Sequence, residues 1–303
     1  MIESEKIKEI KNEQMTSGSV CCQGCGAAIA MRMVLKVLGP NTVITIPACC
    51  WTILAGANPY SVFKLSMLHV AFETAASSAS GVFRGFKVKG KPDLNFLAWA
   101  GDGGTFDIGL QALSGAAERG ENIIYVCYDN EAYMNTGIQR SSATPEGAWT
   151  NTTPVNFPED RPKKDMMAIM IAHDIPYAAT ISVAYPDDLK RKVEKVKALN
   201  GKGLRYLHIL CPCPTGWRAE PAKTIELARL AVQTGIFPLC EFENVDGKKI
   251  LEVNQCGTMP VEKYLSLQGR FSHLSKENIE KIQEEVGKKR LHLYNLESFY
   301  NNS

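Results

Sequence analysis

Apolar and polar positions alternate along this chain with a period that switches between helix and strand. Ala27 to Leu38 carries apolar residues at helical spacing and stops at Gly39-Pro40. Thr42 to Ile46 is a short β-branched run with the length and flanks of a buried strand. Ala71 to Phe83, rich in Ala and Ser, predicts a helix whose small side chains admit a close neighbour. Leu94 to Ala100 predicts an apolar strand that runs directly into Gly101-Asp102-Gly103-Gly104. Ile108 to Arg119 returns to helical period, and Ile123 to Tyr128 is another continuous apolar strand. Strands apolar on both faces belong in a parallel sheet covered by helices on each side. The pattern therefore predicts an α/β chain with a doubly wound, mostly parallel sheet. Ligands in such sheets bind at the carboxyl ends of the strands.

Ser141 to Lys164 is rich in Thr, Pro and Asn and has no period. Loops of that length in a compact domain are functional or disordered. A strand over Tyr206 to Leu210 meets Cys211-Pro212-Cys213; beyond Gly235 come a hairpin with its turn at Asp246-Gly247 and a charged helix around Lys276 to Lys289. The expected organisation is a polar segment over 1–20, a site-bearing α/β domain over 21–235, and a C-terminal hairpin and helical arm over 236–303 that packs on a partner subunit.

Composition narrows the function classes. With 303 residues the chain can bury a sizeable core. Its formal net charge of +2, without a basic block, gives no reason to expect nucleic acid or an anionic membrane as partner. Met1 to Ser19 is polar, without the apolar segment of a signal peptide, and no uncharged run approaches the roughly 18 residues of a membrane helix. A cytoplasmic location is expected. Ten cysteines are then the anomaly. In a reducing compartment, clustered thiols point to metal or redox chemistry more than to disulfides. Cys21, Cys22, Cys25, Cys49 and Cys50 crowd the first fifty residues, and Cys211 and Cys213 form a second group. Cys127, Cys240 and Cys256 stand alone and read as small buried hydrophobes.

Two strand ends carry the first candidate chemistry. One ends in Gly101-Asp102-Gly103, the other in Asp129-Asn130, with Asn130 following Asp102 by 28 positions. Two parallel neighbours joined by one helix would bring both to one sheet edge. An Asp carboxylate, an Asn amide oxygen and a backbone carbonyl are hard donors suited to Mg²⁺, which keeps a diphosphate and water as its other ligands. The glycines let backbone N–H groups and a helix start face phosphate oxygens. Alone, Gly-Asp-Gly is an ordinary turn; the second strand and its Asn make it a candidate metal–diphosphate site. The second candidate is Cys22-Gln23-Gly24-Cys25, followed by Cys50 and far downstream by Cys213. On spacing alone, a [4Fe–4S] cluster, zinc and thiol redox chemistry all stay open.

The segments Cys21–Gly26, Cys49–Thr52, His69–Gly81, Trp99–Thr105, Tyr128–Ser142 and Cys213–Trp217 together resemble the β subunit of 2-oxoacid:ferredoxin oxidoreductases of the pyruvate synthase type, across nearly the whole chain. The resemblance implies the diphosphate-type domain of the thiamine-diphosphate-binding fold. It implies that Cys22, Cys25, Cys50 and Cys213 hold one [4Fe–4S] cluster close to the thiamine, with Cys211 the rival of Cys213, and Cys21 and Cys49 as neighbours. Asp102 and Asn130 would bind Mg²⁺ through side chains and Ala132 through its carbonyl. Gly101, Gly103, Gly104 and Thr105 would meet the diphosphate, and Asn135 would bond the substrate or its adduct. Cys50 and His69 would border the cofactor, His69 with Glu73 four residues on along the small-residue helix; Trp51 and Tyr133 would line the pocket or belong to the core. A thiamine site favours the cluster over zinc, because electrons leaving thiamine need a one-electron acceptor.

The activity implied is oxidative decarboxylation of pyruvate to acetyl-CoA and CO₂, with ferredoxin receiving the electrons in anaerobic metabolism. Oxalate or another 2-oxoacid is an alternative substrate, and a non-catalytic zinc- or cluster-binding scaffold is the alternative of another class. Partners follow: an α subunit with the pyrimidine-side domain and its activating Glu, γ and ferredoxin-like δ subunits or domains, ferredoxin, and coenzyme A.

Overall fold

The computed structural model describes residues 13–57, 59–91 and 93–302. Most of the segment 1–20 thus lies outside the described residues. Eight strands form one sheet: β1 (Thr42–Pro47), β2 (Ser66–Val70), β3 (Asn95–Gly101), β4 (Ile124–Asp129), β5 (Tyr177–Ser182), β6 (Arg205–Leu210), β7 (Leu239–Val245) and β8 (Lys248–Gln255). Their spatial order is β2-β1-β3-β4-β6-β5-β7-β8. The first six are mutually parallel; at the β5 edge β7 runs antiparallel to β5, and β8 antiparallel to β7. Every residue of β3, β4, β5 and β6 is buried, as the unbroken apolar runs require of strands covered on both faces.

Helices α1 (Gly26–Leu38), α2 (Cys50–Leu54), α3 (Ala75–Val88), α4 (Leu110–Glu118), α5 (Met166–Ala172) and α6 (Pro186–Ala198) supply those covers, with α1 and α6 on one face and α3, α4 and α5 on the other. Ala27, Ala30, Met31, Val34, Leu35 and Leu38 of α1 recur at three- and four-residue intervals and are all buried. Each large side chain among them contributes about 1.5–3 kcal/mol through burial.

Four short or terminal helices complete the chain: α7 (Pro214–Trp217), α8 (Thr224–Gln233), α9 (Glu262–Leu265) and α10 (Lys276–Asn301). The Asp246-Gly247 turn has both residues at positive φ, the geometry of a two-residue hairpin, and the hairpin continues the main sheet. Residue 235 therefore marks no gap in the sheet. Trp217, Leu227, Phe237, Phe271 and Val286 form a third apolar cluster beneath it.

The segment read as a helix from Ala71 differs. Ser66–Val70 is an edge strand, and the helix begins only at Ala75. The small-residue run proper starts at Ala75, while Met67, Leu68 and Val70 give the preceding segment a short apolar run that forms the mostly exposed edge strand. From Asn130 to Asp165 the chain forms no helix or strand, as the aperiodic sequence predicts. Among the described residues no helix is long and apolar enough to cross a membrane.

Candidate active site

Four neighbouring strand tips carry the candidate residues. In the order β1, β3, β4, β6 they bear Cys50, Asp102, Asn130 and Cys213, all at the carboxyl ends. The β3–α4–β4 crossover sets Gly101 opposite Tyr128, which carries Asp102 and Asn130 to one edge. Cys211 N–H donates to the Asp129 carbonyl over 2.7 Å, fixing the Cys-Pro-Cys tip beside them.

Asp102 is 1% exposed and Asn130 6%. The Asn130 amide atom facing this edge lies 2.9 Å from both the Ala132 carbonyl and Asp102 Oδ1. As nitrogen it donates to both; as oxygen it completes a triangle of three hard donors that only a cation satisfies. Burial, then the Asp129 charge, pushes the Asp102 carboxyl well above the usual carboxylate range. Its direct partner is the Ser141 hydroxyl, which donates to Oδ2. A divalent cation at this point would return Asp102 to its charged form. The donor set and its burial fit Mg²⁺.

A five-residue π-type turn, Gly103–Asp107, follows Asp102 directly. A Cβ on Gly103 would stand 2.2 Å from the Tyr133 ring, and one on Gly104 would press on Phe72 at 3.4 Å. Gly103 therefore permits the close roof formed by Tyr133, whose hydroxyl donates to Asp107 over 2.7 Å. Thr105 turns its hydroxyl inward to the Gly101 carbonyl at 2.8 Å and to Tyr125, which leaves only its backbone N–H for a phosphate.

Cys22, Cys25, Cys50, Asn130, Asn135 and Cys213 line one cavity of about 130 Å³, and Cys211, the rival of Cys213, lines it too. Gly24 makes this possible at φ +69°, where a Cβ would lie 2.3 Å from the Pro221 carbonyl oxygen. Gly26 donates to the Pro212 carbonyl over 3.1 Å, which ties the Cys22–Cys25 turn to the Cys211–Cys213 segment. Cys213 caps α7, its Sγ accepting from Gly216 N, while Cys211 is fully buried in the core. Burial pushes the Cys50 thiol up to about 12 and Cys213 to about 11, with neighbouring cysteines adding to both. Among the described residues no three His, Cys, Asp or Glu side chains are spaced to share one metal ion.

Asn135 sits on a tight loop closed by paired hydrogen bonds between Tyr133 and Gln139. Ile138 in that loop also lines the cavity at φ +59°, a costly conformation for a β-branched residue, held by Asn151 N–H donating to its carbonyl over 2.8 Å. Trp51 lies in the core against Phe63 and Trp99. His69 is not on a helix. It lies on β2, paired in register with Ile46 of β1, and is exposed, two strands from β3, roughly 10 Å across the sheet. It is absent from the cavity lining.

Sequence reasoning missed a buried charged layer behind the metal edge. Asp129 accepts from Lys163 at 2.5 Å and pairs with His208 at 2.8 Å. Burial alone would raise its pKa, but Lys163 and His208 hold it below the usual range. Glu131 pairs with Lys163 at 2.8 Å and with Arg270 at 2.5 Å. The only available signal was the length of the 141–164 loop, which supplies Ser141, Thr144 and Lys163.

Such an edge defines a diphosphate-binding α/β domain, and residues 48–209 match the family of the thiamine pyrophosphate enzyme, C-terminal TPP binding domain. The chain is 51% identical over 282 residues to the ketoisovalerate oxidoreductase subunit VorB of Pyrococcus furiosus, with 90% of each chain covered. It is 52% identical over 283 residues to the pyruvate synthase subunit PorB of Methanothermobacter thermautotrophicus, covering 92% of this chain and 97% of that one. The chain belongs to the thiamine pyrophosphate enzymes and, within them, to the oxidoreductase subunits that VorB and PorB represent. Its fold also matches a solved 2-oxoglutarate:ferredoxin oxidoreductase from Magnetococcus marinus, with a TM-score of 0.58 at 20% identity over 72% of this chain and 79% of that one.

Proposed function

We propose that this chain is the β subunit of a 2-oxoacid:ferredoxin oxidoreductase that holds thiamine diphosphate through Mg²⁺ and one [4Fe–4S] cluster. The observation that carries the reading is the Asn130 amide lying 2.9 Å from both Asp102 and the Ala132 carbonyl, beside a cavity lined by five thiols, those of Cys22, Cys25, Cys50, Cys211 and Cys213. Thiamine diphosphate, when bound, supplies the electron sink onto which a 2-oxoacid loses CO₂.

The protein's share is orientation and electrostatics. Asp102, Asn130 and Ala132 would fix the metal, and the backbone N–H groups of Gly103, Gly104 and Thr105 would receive the diphosphate at the start of the π-type turn. Asn135, on its locked loop, would donate to the substrate oxygen where negative charge develops. Cys22, Cys25, Cys50 and Cys213 would hold the cluster as thiolates. A one-electron acceptor beside a thiamine site favours the iron–sulfur cluster over zinc, which has no redox chemistry.

The similar identity to subunits named for pyruvate and for ketoisovalerate supports those 2-oxoacids as the substrate class. Partners in this reading are an α subunit carrying the pyrimidine-side domain and its activating Glu, γ and ferredoxin-like δ subunits or domains, ferredoxin, and coenzyme A, in the cytoplasm. Anaerobic copurification with the partner chains, followed by a 2-oxoacid panel with a dye acceptor, tests it. Brown, iron-containing protein that decarboxylates pyruvate or ketoisovalerate only with thiamine diphosphate and Mg²⁺ is expected. A colourless zinc protein, or no turnover of any 2-oxoacid, overturns it.

A further inference from the structure

We propose that Arg270, contributed by the C-terminal region, is a positioning residue that locks the metal-binding turn to the helix bearing Cys213. This rests on the reading of Asp102, Asn130 and Ala132 as metal ligands.

Glu131 stands between two of those ligands and adopts φ +67°, a left-handed backbone that non-glycine residues rarely hold unless their surroundings impose it. That one dihedral aims the Asn130 side chain and the Ala132 carbonyl at the same point. What imposes it is visible on every side of the residue. Its N–H donates to Asp129 Oδ1 over 2.9 Å, and its carbonyl accepts from Thr144 Oγ1 over 2.8 Å. Its carboxylate is divided between Lys163 Nζ at 2.8 Å and an Arg270 guanidinium nitrogen at 2.5 Å. Gln268 accepts from Arg270 Nε over 3.0 Å and orients the guanidinium.

Arg270 has a second hold on the same turn. Its guanidinium lies over the Trp217 ring at 4.1 Å, and Trp217 Nε1 donates to the Asn130 carbonyl over 2.8 Å. Trp217 closes the short helix that Cys213 caps. One buried arginine therefore braces the ligand turn at Glu131 directly and at Asn130 through the indole. A buried ion pair is a weak source of stability, because desolvation cancels most of its attraction. Its fixed geometry is what it contributes, here on residues flanking and including the ligands.

The test uses the anaerobically copurified complex, stripped of metal and cofactor and titrated with Mg²⁺ at saturating thiamine diphosphate. Retained cofactor after desalting is the readout, beside the melting temperature and iron content of the stripped complex. Arg270→Gln is expected to raise the half-saturating Mg²⁺ by about tenfold, with Arg270→Lys falling between it and the parent. Trp217→Phe keeps the ring under the guanidinium but removes the N–H; it should raise the Mg²⁺ requirement severalfold without altering iron content. If Arg270→Gln fails to assemble, Trp217→Phe decides alone. An unchanged Mg²⁺ requirement in the assembled variants, whatever their melting temperatures, overturns the positioning role. A parent complex that retains no thiamine diphosphate at any Mg²⁺ concentration instead overturns the functional reading itself, and the inference with it.

Discussion

The proposed metal edge, at Asp102 and Asn130, and the cysteine cavity lie side by side, yet they are built in opposite ways. The metal edge draws Asp102 and Asn130 from neighbouring strands joined by one helix, and both residues are almost wholly buried. The cavity draws Cys22, Cys25, Cys50 and Cys213 from three distant stretches of chain, and Cys22 is exposed. The strand tips of the first are set by the sheet itself, and only the turn at Glu131 is braced from farther along the chain, by Lys163 and Arg270. A site made from distant stretches depends on every contact that gathers them, such as the Gly26–Pro212 hydrogen bond.

The largest expected effect lies at the metal edge. Asp102→Ala removes the charged donor and should cost more than the roughly 10–100-fold in metal affinity that second-shell changes cost. Full thiamine diphosphate occupancy in that variant, assayed after desalting, would refute its metal role. Next, Cys213→Ala should strip the iron. Cys211→Ala, whose thiol is fully buried, should keep it and lose only about 1 kcal/mol of stability. Iron analysis of both separates ligand from neighbour, and the reverse pattern would exchange their roles.

Asn135→Ala tests whether the boundary between the two regions does chemistry. Cofactor should stay bound while turnover falls by about 10²–10³; unchanged turnover removes Asn135 from the site. Gly103→Ala is smaller. The added Cβ forces the Tyr133 ring off its 2.7 Å bond to Asp107, at a cost of about 1–3 kcal/mol read as a lowered melting temperature.

The smallest effect lies outside both regions and serves as a control. Burial alone would raise the Glu241 pKa, but Tyr177, Arg191 and Asn254 hold it below the usual range. A depressed carboxyl contributes stability above its unfolded pKa and loses it as pH falls through the folded value. Melting temperature should drop with acid below the ordinary carboxylate range. Glu241→Gln should flatten that part of the curve, and an equally steep acid limb in the variant would discount this group.

The same contrast explains what the chain disclosed in advance. Asp102 and Asn130 were legible because a single crossover helix fixes how far apart two adjacent parallel tips fall in sequence. The central strands were legible from unbroken apolar runs such as Ile123 to Tyr128. The cysteines were legible as types, but Cys211 and Cys213 follow β6 two residues apart and both line the cavity, so spacing does not choose between them. His69 falls on edge strand β2 rather than on the helix, because the Ala- and Ser-rich helical run begins only at Ala75 and Met67, Leu68 and Val70 belong to the strand before it. Ser141, Lys163 and Arg270 were invisible: their partners Asp102, Asp129 and Glu131 are remote in sequence, and an isolated Ser, Lys or Arg carries no local pattern.

The pairing of Glu131 with Arg270 spans 139 residues, which gives the protein a built-in order of completion. At the usual pace of translation, that stretch takes about 7 to 28 seconds to emerge from the ribosome. The nascent chain can lay down the central sheet during that interval, but its metal turn lacks its last brace until the final portion has been made. On the proposed reading, cofactor loading would wait for the finished polypeptide.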